Sequence, residues 1–391
     1  MKLLVIGCGQ CGGRVADEFA RLNGRARGQR GIDIISNIIA VNTDIADLSG
    51  LSFIRPDQLH RVLIGAQKTG GHGVGKINEL GAEIAREDGD KVSEAVKNTK
   101  RFHETDAFLV IASAAGGTGS GAIPILTQNL KERYPEKPIY NIIVLPFRHE
   151  EKVEERTIYN TATCLKSAYL VADAVFLIDN QRYITKDASI QNNLAKINAR
   201  VVSPFYNLLC AGEEKKPKFI GAKIIDAGDI IQTLSGWTII GHGRTQIPML
   251  KHPFGGSSDF REQPIESRRG VQAMSDAISD LSLKCRPSDA KRALYLLSAP
   301  PDELNMSLLN EIGSCLKRVA SEAIIRSGDY PREKRAIEVT LILSELTNVG
   351  KVMEYFTRAI SYISSYKTRW EGIEYEHRGI EDAFRDIPSL L

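Results

Sequence analysis

The chain has 391 residues, 42% of them hydrophobic and 25% charged, with a formal charge of +3. It is long enough to bury two ordinary cores, which excludes a stapled mini-protein and a disordered polyion. Lys and Arg are scattered rather than massed, so nothing favours nucleic acid as a partner. The apolar run Leu3–Ile6 is too short for a signal-peptide core or a membrane span and reads as a first buried strand.

From residue 1 to about 180, apolar strand-like runs alternate with amphipathic helical patterns, the sequence form of a parallel sheet covered on both faces. The expected strands are Lys2–Ile6, Ile34–Val41, Val62–Ile64, Ala107–Ala112, Ile139–Leu145 and Ala174–Ile178, with helices near Cys11–Leu22, Val74–Glu87, Gly119–Arg133 and Val153–Val171. Ala188–Cys210 is a long, nearly uninterrupted helical pattern that suits a spine between domains. Beyond it, short strands and helices from Gly221 to Ser344 suggest a smaller α+β domain, and helical segments from Gly350 to about Phe384 close the chain. The expected organisation is therefore a nucleotide-binding domain over 1–187, a central helix over 188–212, an α+β domain over 213–345 and a helical region over 346–391. Thr245–Glu266, rich in Pro, Gly and Ser, reads as a long loop.

Three glycine clusters carry chemistry. Gly7-x-Gly9-x-x-Gly12 after the first strand matches a dinucleotide fingerprint, with Asp44 placed for a ribose, and supports an NAD(P)-dependent oxidoreductase as an alternative. Gly70-Gly71-His72-Gly73-Val74-Gly75-Lys76 imitates a Walker loop, but Ile77 follows where magnesium needs a hydroxyl. The strongest cluster is Gly116-Gly117-Thr118-Gly119-Ser120-Gly121, between a buried strand and a helix. Glycines free the backbone to take positive φ and to approach an anion closely, the helix start adds unpaired amides, and Thr118 and Ser120 add hydroxyls. Together they make a cradle for a di- or triphosphate. Cys8-x-x-Cys11 has no second pair at zinc spacing, so the six cysteines read as thiols in a reducing cytosol and no metal site is assigned.

Gly116–Gly121 matches the signature G-G-G-T-G-[ST]-G of the tubulin/FtsZ superfamily from its second glycine onward, with Ala115 in place of the first. Further segments follow in the family's order across essentially the whole chain. Gly9-Gln10-Cys11-Gly12-Gly13 resembles its first phosphate loop, Asn42-Thr43-Asp44 its N-T-D, and Thr69-Gly70-Gly71-His72-Gly73 its γ-phosphate loop. Pro146-Phe147, then Glu150, Glu151 and Arg156, resembles the ribose segment with spacing shifted by one residue. Glu150, Glu151 and Glu154 therefore all stay candidates for the sugar, and Glu151 is assigned with Arg156. The resemblance further implies that Asn180 and Asn198 read guanine, each otherwise a surface or capping Asn.

Ile224-Ile225-Asp226-Ala227-Gly228-Asp229 is similar to the FtsZ stretch N-x-D-F-A-D, which completes a neighbouring subunit's nucleotide site. Read without the family, Asp226 is a helix N-cap and Asp229 its capping-box partner. Ile224 replaces the family's Asn, which implies slower hydrolysis and keeps open a nucleotide-binding filament protein with negligible turnover. Gly236–Gly243 resembles an FtsZ strand and Asn348–Trp370 tubulin's C-terminal helix region, a mixture that resembles the archaeal CetZ group. The implied protein has the tubulin/FtsZ fold: a Rossmann-like GTPase domain, a long central helix, a smaller α+β domain and C-terminal helices. It binds GTP or GDP, with Mg2+ held mainly by phosphates and water. It polymerises head to tail in the cytoplasm, with self as partner, and its hydrolysis is activated by Asp226 and Asp229 of the next subunit. Residues 245–266 fall where tubulin makes lateral contacts, and Asp386–Leu391 weakly resembles the FtsZ tail peptide.

Overall fold

Runs of Leu, Ile, Val and Ala with almost every side chain buried cannot sit at a solvated edge, so they pair side by side and take helices on both faces. In the computed structural model, which describes residues 1–184, 190–248, 263–371 and 384–391, such runs build a parallel sheet. Its strands are β1 (Leu3–Cys8), β2 (Ile35–Asn42), β3 (Arg61–Leu63), β4 (Ala107–Ser113), β5 (Ile139–Leu145) and β6 (Ala174–Asp179), in the order β3-β2-β1-β4-β5-β6. Leu4 pairs with Asn37 on one side and Phe108 on the other. This is the doubly wound order, in which direction of winding reverses between β1 and β4 and ligands bind beyond the carboxyl ends of the strands.

The helices between these strands are α1 (Gly9–Arg30), α2 (Ile45–Ser49), α3 (Ala66–Thr69), α4 (Asn78–Glu87), α5 (Gly89–Lys97), α6 (Thr118–Arg133), α7 (Arg148–Val153) and α8 (Glu155–Val171). Most strand limits lie within two residues of expectation. The helix expected over Val74–Glu87 starts only at Asn78, because Gly73, Gly75 and even Lys76 hold positive φ in the preceding loop. Helix α5 was not foreseen. α4 and α6 touch backbone to backbone: a Cβ on Gly121 would lie 2.2 Å from the Asn78 carbonyl oxygen, so only glycine fits there.

The chain continues through α9 (Ile190–Ala211), α10 (Ala227–Thr233), β7 (Gly236–Gln246), α11 (Gln263–Ser279), β8 (Ala290–Ala299), α12 (Met306–Val319), β9 (Ile324–Pro331), β10 (Ala336–Leu346) and α13 (Gly350–Glu371). β10 is antiparallel to both β7 and β8, and β9 runs parallel to β8, with α11 packed on β7. Most of the expected loop, residues 249–262, lies outside the described residues.

By contact the residues group into two units. The larger holds 2–24, 35–202 and 349–391; the smaller holds Met1, 25–34 and 203–348. α13 thus belongs with the larger unit, where it packs on α8. Cys8, Cys164 and Cys210 are buried and all six thiols are free. Among the described residues, no three His, Cys, Asp or Glu side chains are grouped to hold a metal, and no helix is long and apolar enough to cross a membrane.

Candidate functional site

All the residues assigned to the nucleotide fall in the larger unit, and all but Arg156 and Asn198 lie just beyond the carboxyl end of a strand of the parallel sheet. Gly9–Gly12 follow β1, Asp44 follows β2, Thr69–Gly71 follow β3, Gly116–Gly121 follow β4, Glu150 and Glu151 follow β5, and Asn180 follows β6. Arg156 sits in the first turn of α8, and Asn198 on the half of α9 that belongs to this unit. Arg200 on the same stretch of α9 lies 5.2 Å over the ring of Tyr183, which ends the turn that Asn180 begins. Both asparagines are half-buried.

The cradle after β4 works differently from its sequence expectation. None of Gly116–Gly121 has a positive φ. Close approach is what selects glycine, most tightly at Gly121, whereas a Cβ on Gly116 would meet nothing within 4 Å. Gly116 is therefore the position where the loop presents bare backbone to open space, at the start of a long helix whose first amides and dipole favour an anion. The positive φ values belong instead to Gly9 and to the loop after β3, at Gly70, Gly71 and Gly73.

The hydroxyls of the cradle are turned inward. Ser120 donates to the carbonyl of Gly116, and the Thr118 hydroxyl meets that of Thr43 at 2.6 Å. Thr69 bonds the Gly65 carbonyl at 3.0 Å and accepts from the Gly71 amide at 3.1 Å. These side chains shape the loops and leave the phosphate side to backbone N–H groups. Asp44 is the N-cap of α2, accepting from Ala46 N and Asp47 N at 2.8 and 3.1 Å, so its carboxylate is engaged in the fold. Gln10 reaches Asp47 at 2.6 Å. Burial pushes the Cys11 thiol up to about 12, with the charge of Glu150 adding to the effect and Arg14 opposing it.

Glu151 has a task other than the sugar. It is buried, accepts from Tyr355 Oη at 2.6 Å and Arg358 Nη1 at 2.7 Å, and has Lys351 Nζ at 3.5 Å. Burial alone would raise its carboxyl, but those bonds hold it below its usual value. The reason is helical phase. Adjacent residues on α7 point about 100° apart, and Glu151 turns to α13 while Glu150 turns back to the start of its own helix, its carboxylate accepting from Phe147 N at 2.8 Å. Glu154 pairs with Lys76 at 2.7 Å, and Arg156 with Glu79.

Asn160, in the run Tyr159-Asn160-Thr161 that resembles tubulin, was given no site role by sequence reasoning. It is fully buried on α8, and its Nδ2 lies 2.9 Å from the Lys76 carbonyl and 3.2 Å from those of Ala115 and Gly116. One amide thus holds the loop before α4 against the loop before α6. The signal was an interior helix face carrying Asn160, Thr161, Thr163 and Ser167 where apolar residues belong.

Asp226 and Asp229 lie in the smaller unit. Asp226 is exposed and caps α10, accepting from Asp229 N at 2.9 Å. Half of the expected capping box is thus formed. The Asp229 carboxylate is partly exposed, with Arg326 Nε at 3.6 Å, and Ile224 beside them is half-exposed.

A doubly wound sheet with amide-lined glycine loops over its strand ends defines a phosphate-binding, nucleotide-dependent protein. Residues 2–186 match the model of the tubulin/FtsZ family GTPase domain, and residues 187–361 that of the tubulin-like CetZ C-terminal domain. The tubulin-like protein CetZ1 of Haloferax volcanii is 34% identical over 370 residues, 90% of each chain. The chain belongs to the tubulin/FtsZ family, in its CetZ group. Among solved structures, the GDP-bound monomer of Haloferax volcanii CetZ1 is similar with a TM-score of 0.79 at 31% identity, covering 93% of this chain and all of that one. The GTPγS-bound protofilament of CetZ2 from the same organism has a TM-score of 0.80 at 27% identity, covering 94% of this chain and all of that one.

Proposed function

We propose that the chain is a cytoplasmic cytoskeletal GTPase that binds GTP over the strand ends of its larger unit and assembles head to tail, Asp226 and Asp229 of one subunit completing the site of the next. One observation carries the reading: Gly116 offers bare backbone to open space while the residues around it are fixed by close contact. A nucleotide phosphate fits that gap. The amides of 116–120 and 9–12 take the phosphates, those of Thr69, Gly70 and Gly71 being already bonded to Gly65, Ala66 and Thr69, and Asn180 and Asn198 take the guanine edge as donor and acceptor. Of the three glutamates, Glu150 suits the ribose: Glu151 is buried against α13 and Glu154 pairs with Lys76, whereas Glu150 accepts only from its own helix start at Phe147 N and keeps acceptor capacity. Magnesium, when bound, neutralises phosphate charge and is held by the phosphates and water.

Phosphoryl transfer needs charge stabilisation and an aligned water more than covalent help from the protein. The amides supply the first. The second comes with the neighbour's carboxylates, which accept a hydrogen bond from the attacking water, so a lone subunit turns over slowly and assembly switches hydrolysis on. The loss of the γ-phosphate then weakens the contact. Relatives solved as a GDP-bound monomer and a GTPγS-bound protofilament support this order of events. Ile224 in place of a polar residue makes the rate lower than in FtsZ.

The test is light scattering with simultaneous phosphate release after adding GTP to the purified chain. Release should rise more steeply than linearly with protein concentration. Strictly linear release that is unchanged by Asp229→Ala overturns the shared site.

A further inference from the structure

The segment Phe384–Leu391 is seated on the larger unit in a groove built for it. Ile387 and Leu390 are 1% and 5% exposed. Phe384 meets Tyr169 of α8 and Phe356 of α13 edge-on, with ring centroids 6.1 and 5.7 Å apart. Lys166, a buried lysine on α8, donates to the carbonyl of Ile387 at 2.5 Å and approaches that of Arg385 at 3.3 Å, with its ammonium 5.3 Å from the Phe384 ring. Ser167, fully buried, accepts from Leu390 N at 2.9 Å, and Arg86 at the far end of α4 donates to the Leu390 carbonyl. Backbone-directed bonds with apolar anchors, here at every third residue, are how a protein holds a peptide ligand.

The helices so bridged, α4 and α8, flank α6, the helix that begins in the Gly116–Gly121 loop. At their other ends, α4 and α8 are joined by Asn160 to the Lys76 carbonyl, by Arg156 to Glu79 and by Asn78 to Thr163 at 2.8 Å. From Asn78 to Arg86 is about 12 Å along α4, and from Arg156 to Lys166 about 15 Å along α8, at roughly 1.5 Å per residue. Two clasps thus close the same helix pair, one beside the loop that follows β3 and one under segment 384–391.

We propose that segment 384–391 of this chain is a nucleotide-responsive latch, an internal peptide ligand that docks more tightly when a guanine triphosphate engages the loop before α4. This rests on the guanine-nucleotide reading above. Fixing one end of the helix pair removes freedom that docking at the other end must otherwise remove, so the two events favour each other. Reciprocity then requires the docked segment to raise the preference for triphosphate over diphosphate by the same factor.

The test uses the full chain below its assembly concentration. Calorimetry first measures binding of GTPγS and GDP, and no binding of either sinks the nucleotide reading itself. Amide hydrogen exchange of 384–391 is then compared between the two bound states in the native chain. Protection at least about 5-fold greater with GTPγS is expected, the lower end of usual coupling between sites. The double variant Ile387→Asp/Leu390→Asp, and separately deletion of 384–391, should lower the ratio of GTPγS to GDP affinity by a matching factor. Binding of both nucleotides with equal protection of the segment, or with greater protection in GDP, overturns the latch and leaves the nucleotide site standing. An affinity ratio unmoved in both variants overturns it as well.

Discussion

The two halves of the proposed site are built in opposite ways. The phosphate half, in the larger unit, is locked by buried contacts: Gly121 against the Asn78 carbonyl, Thr43 against Thr118, and Asn160 among three carbonyls. The acidic half, in the smaller unit, stands on the seven-residue helix α10, with Asp226 exposed and Asp229 held by one loose ion pair to Arg326. A cradle for charged oxygens must be set before the reaction, because reorganising dipoles during it is costly. A carboxylate proposed to act on another subunit's ligand has to stay accessible, and the ion pair of Asp229 with Arg326 is long and partly exposed.

Substitutions should therefore cost stability in one half and activity in the other. Gly121→Val would drive a side chain into the α4 backbone and should destabilise the chain by about 3 kcal/mol, read by denaturant unfolding. Less than about 0.5 kcal/mol would show that α4 and α6 can part freely, and the contrast would fail. Asn160→Ala removes a buried donor from three carbonyls and should cost about 2 kcal/mol. It should also weaken GTPγS binding, because the loops on both sides of the gap lose their common hold.

A smaller effect is expected from acid at Glu151. Its carboxyl is held below the ordinary value of 4.5, so its contribution is fully present above that value and is lost as pH falls through the lower folded one. Protection of 350–360 against hydrogen exchange, relative to the intrinsic rate at each pH, should fall over that acid range in the native chain, and Glu151→Gln should flatten the dependence. Asp229→Ala should move stability least, within about 0.5 kcal/mol, because its ion pair with Arg326 is long and partly exposed. Its assembly-stimulated phosphate release should nonetheless fall at least about a hundredfold, the scale of a lost proton-accepting group.

Most of the sheet could be read from the chain, because a strand buried on both faces advertises itself as an unbroken apolar run, as β1 and β4 do. The phosphate loops were legible for a similar reason: glycines clustered at a strand end have few other uses. What escaped depended on direction. The sequence places Glu150 and Glu151 side by side, and only the phase of α7 turns one back to Phe147 N and sends the other to Tyr355 and Arg358. Ser120 looked like a donor to phosphate, yet a serine inside a helix can satisfy its hydroxyl on the carbonyl four residues back, and it does so on Gly116. Asp226 fits both of its readings, since an exposed N-cap carboxylate keeps a lone pair for another molecule.

The attachment of α13 bears on how the molecule can be divided for experiment. Tyr355 and Phe356 are 0% and 1% exposed, and Tyr355 bonds Glu151 across 204 positions of sequence. A recombinant fragment that stops after the central helix would therefore bare these hydrophobic seats and strand the Glu151 carboxylate without its donors. It should aggregate where a version rejoined to residues 349–391 by a short linker stays dispersed, and gel filtration of the pair would tell them apart.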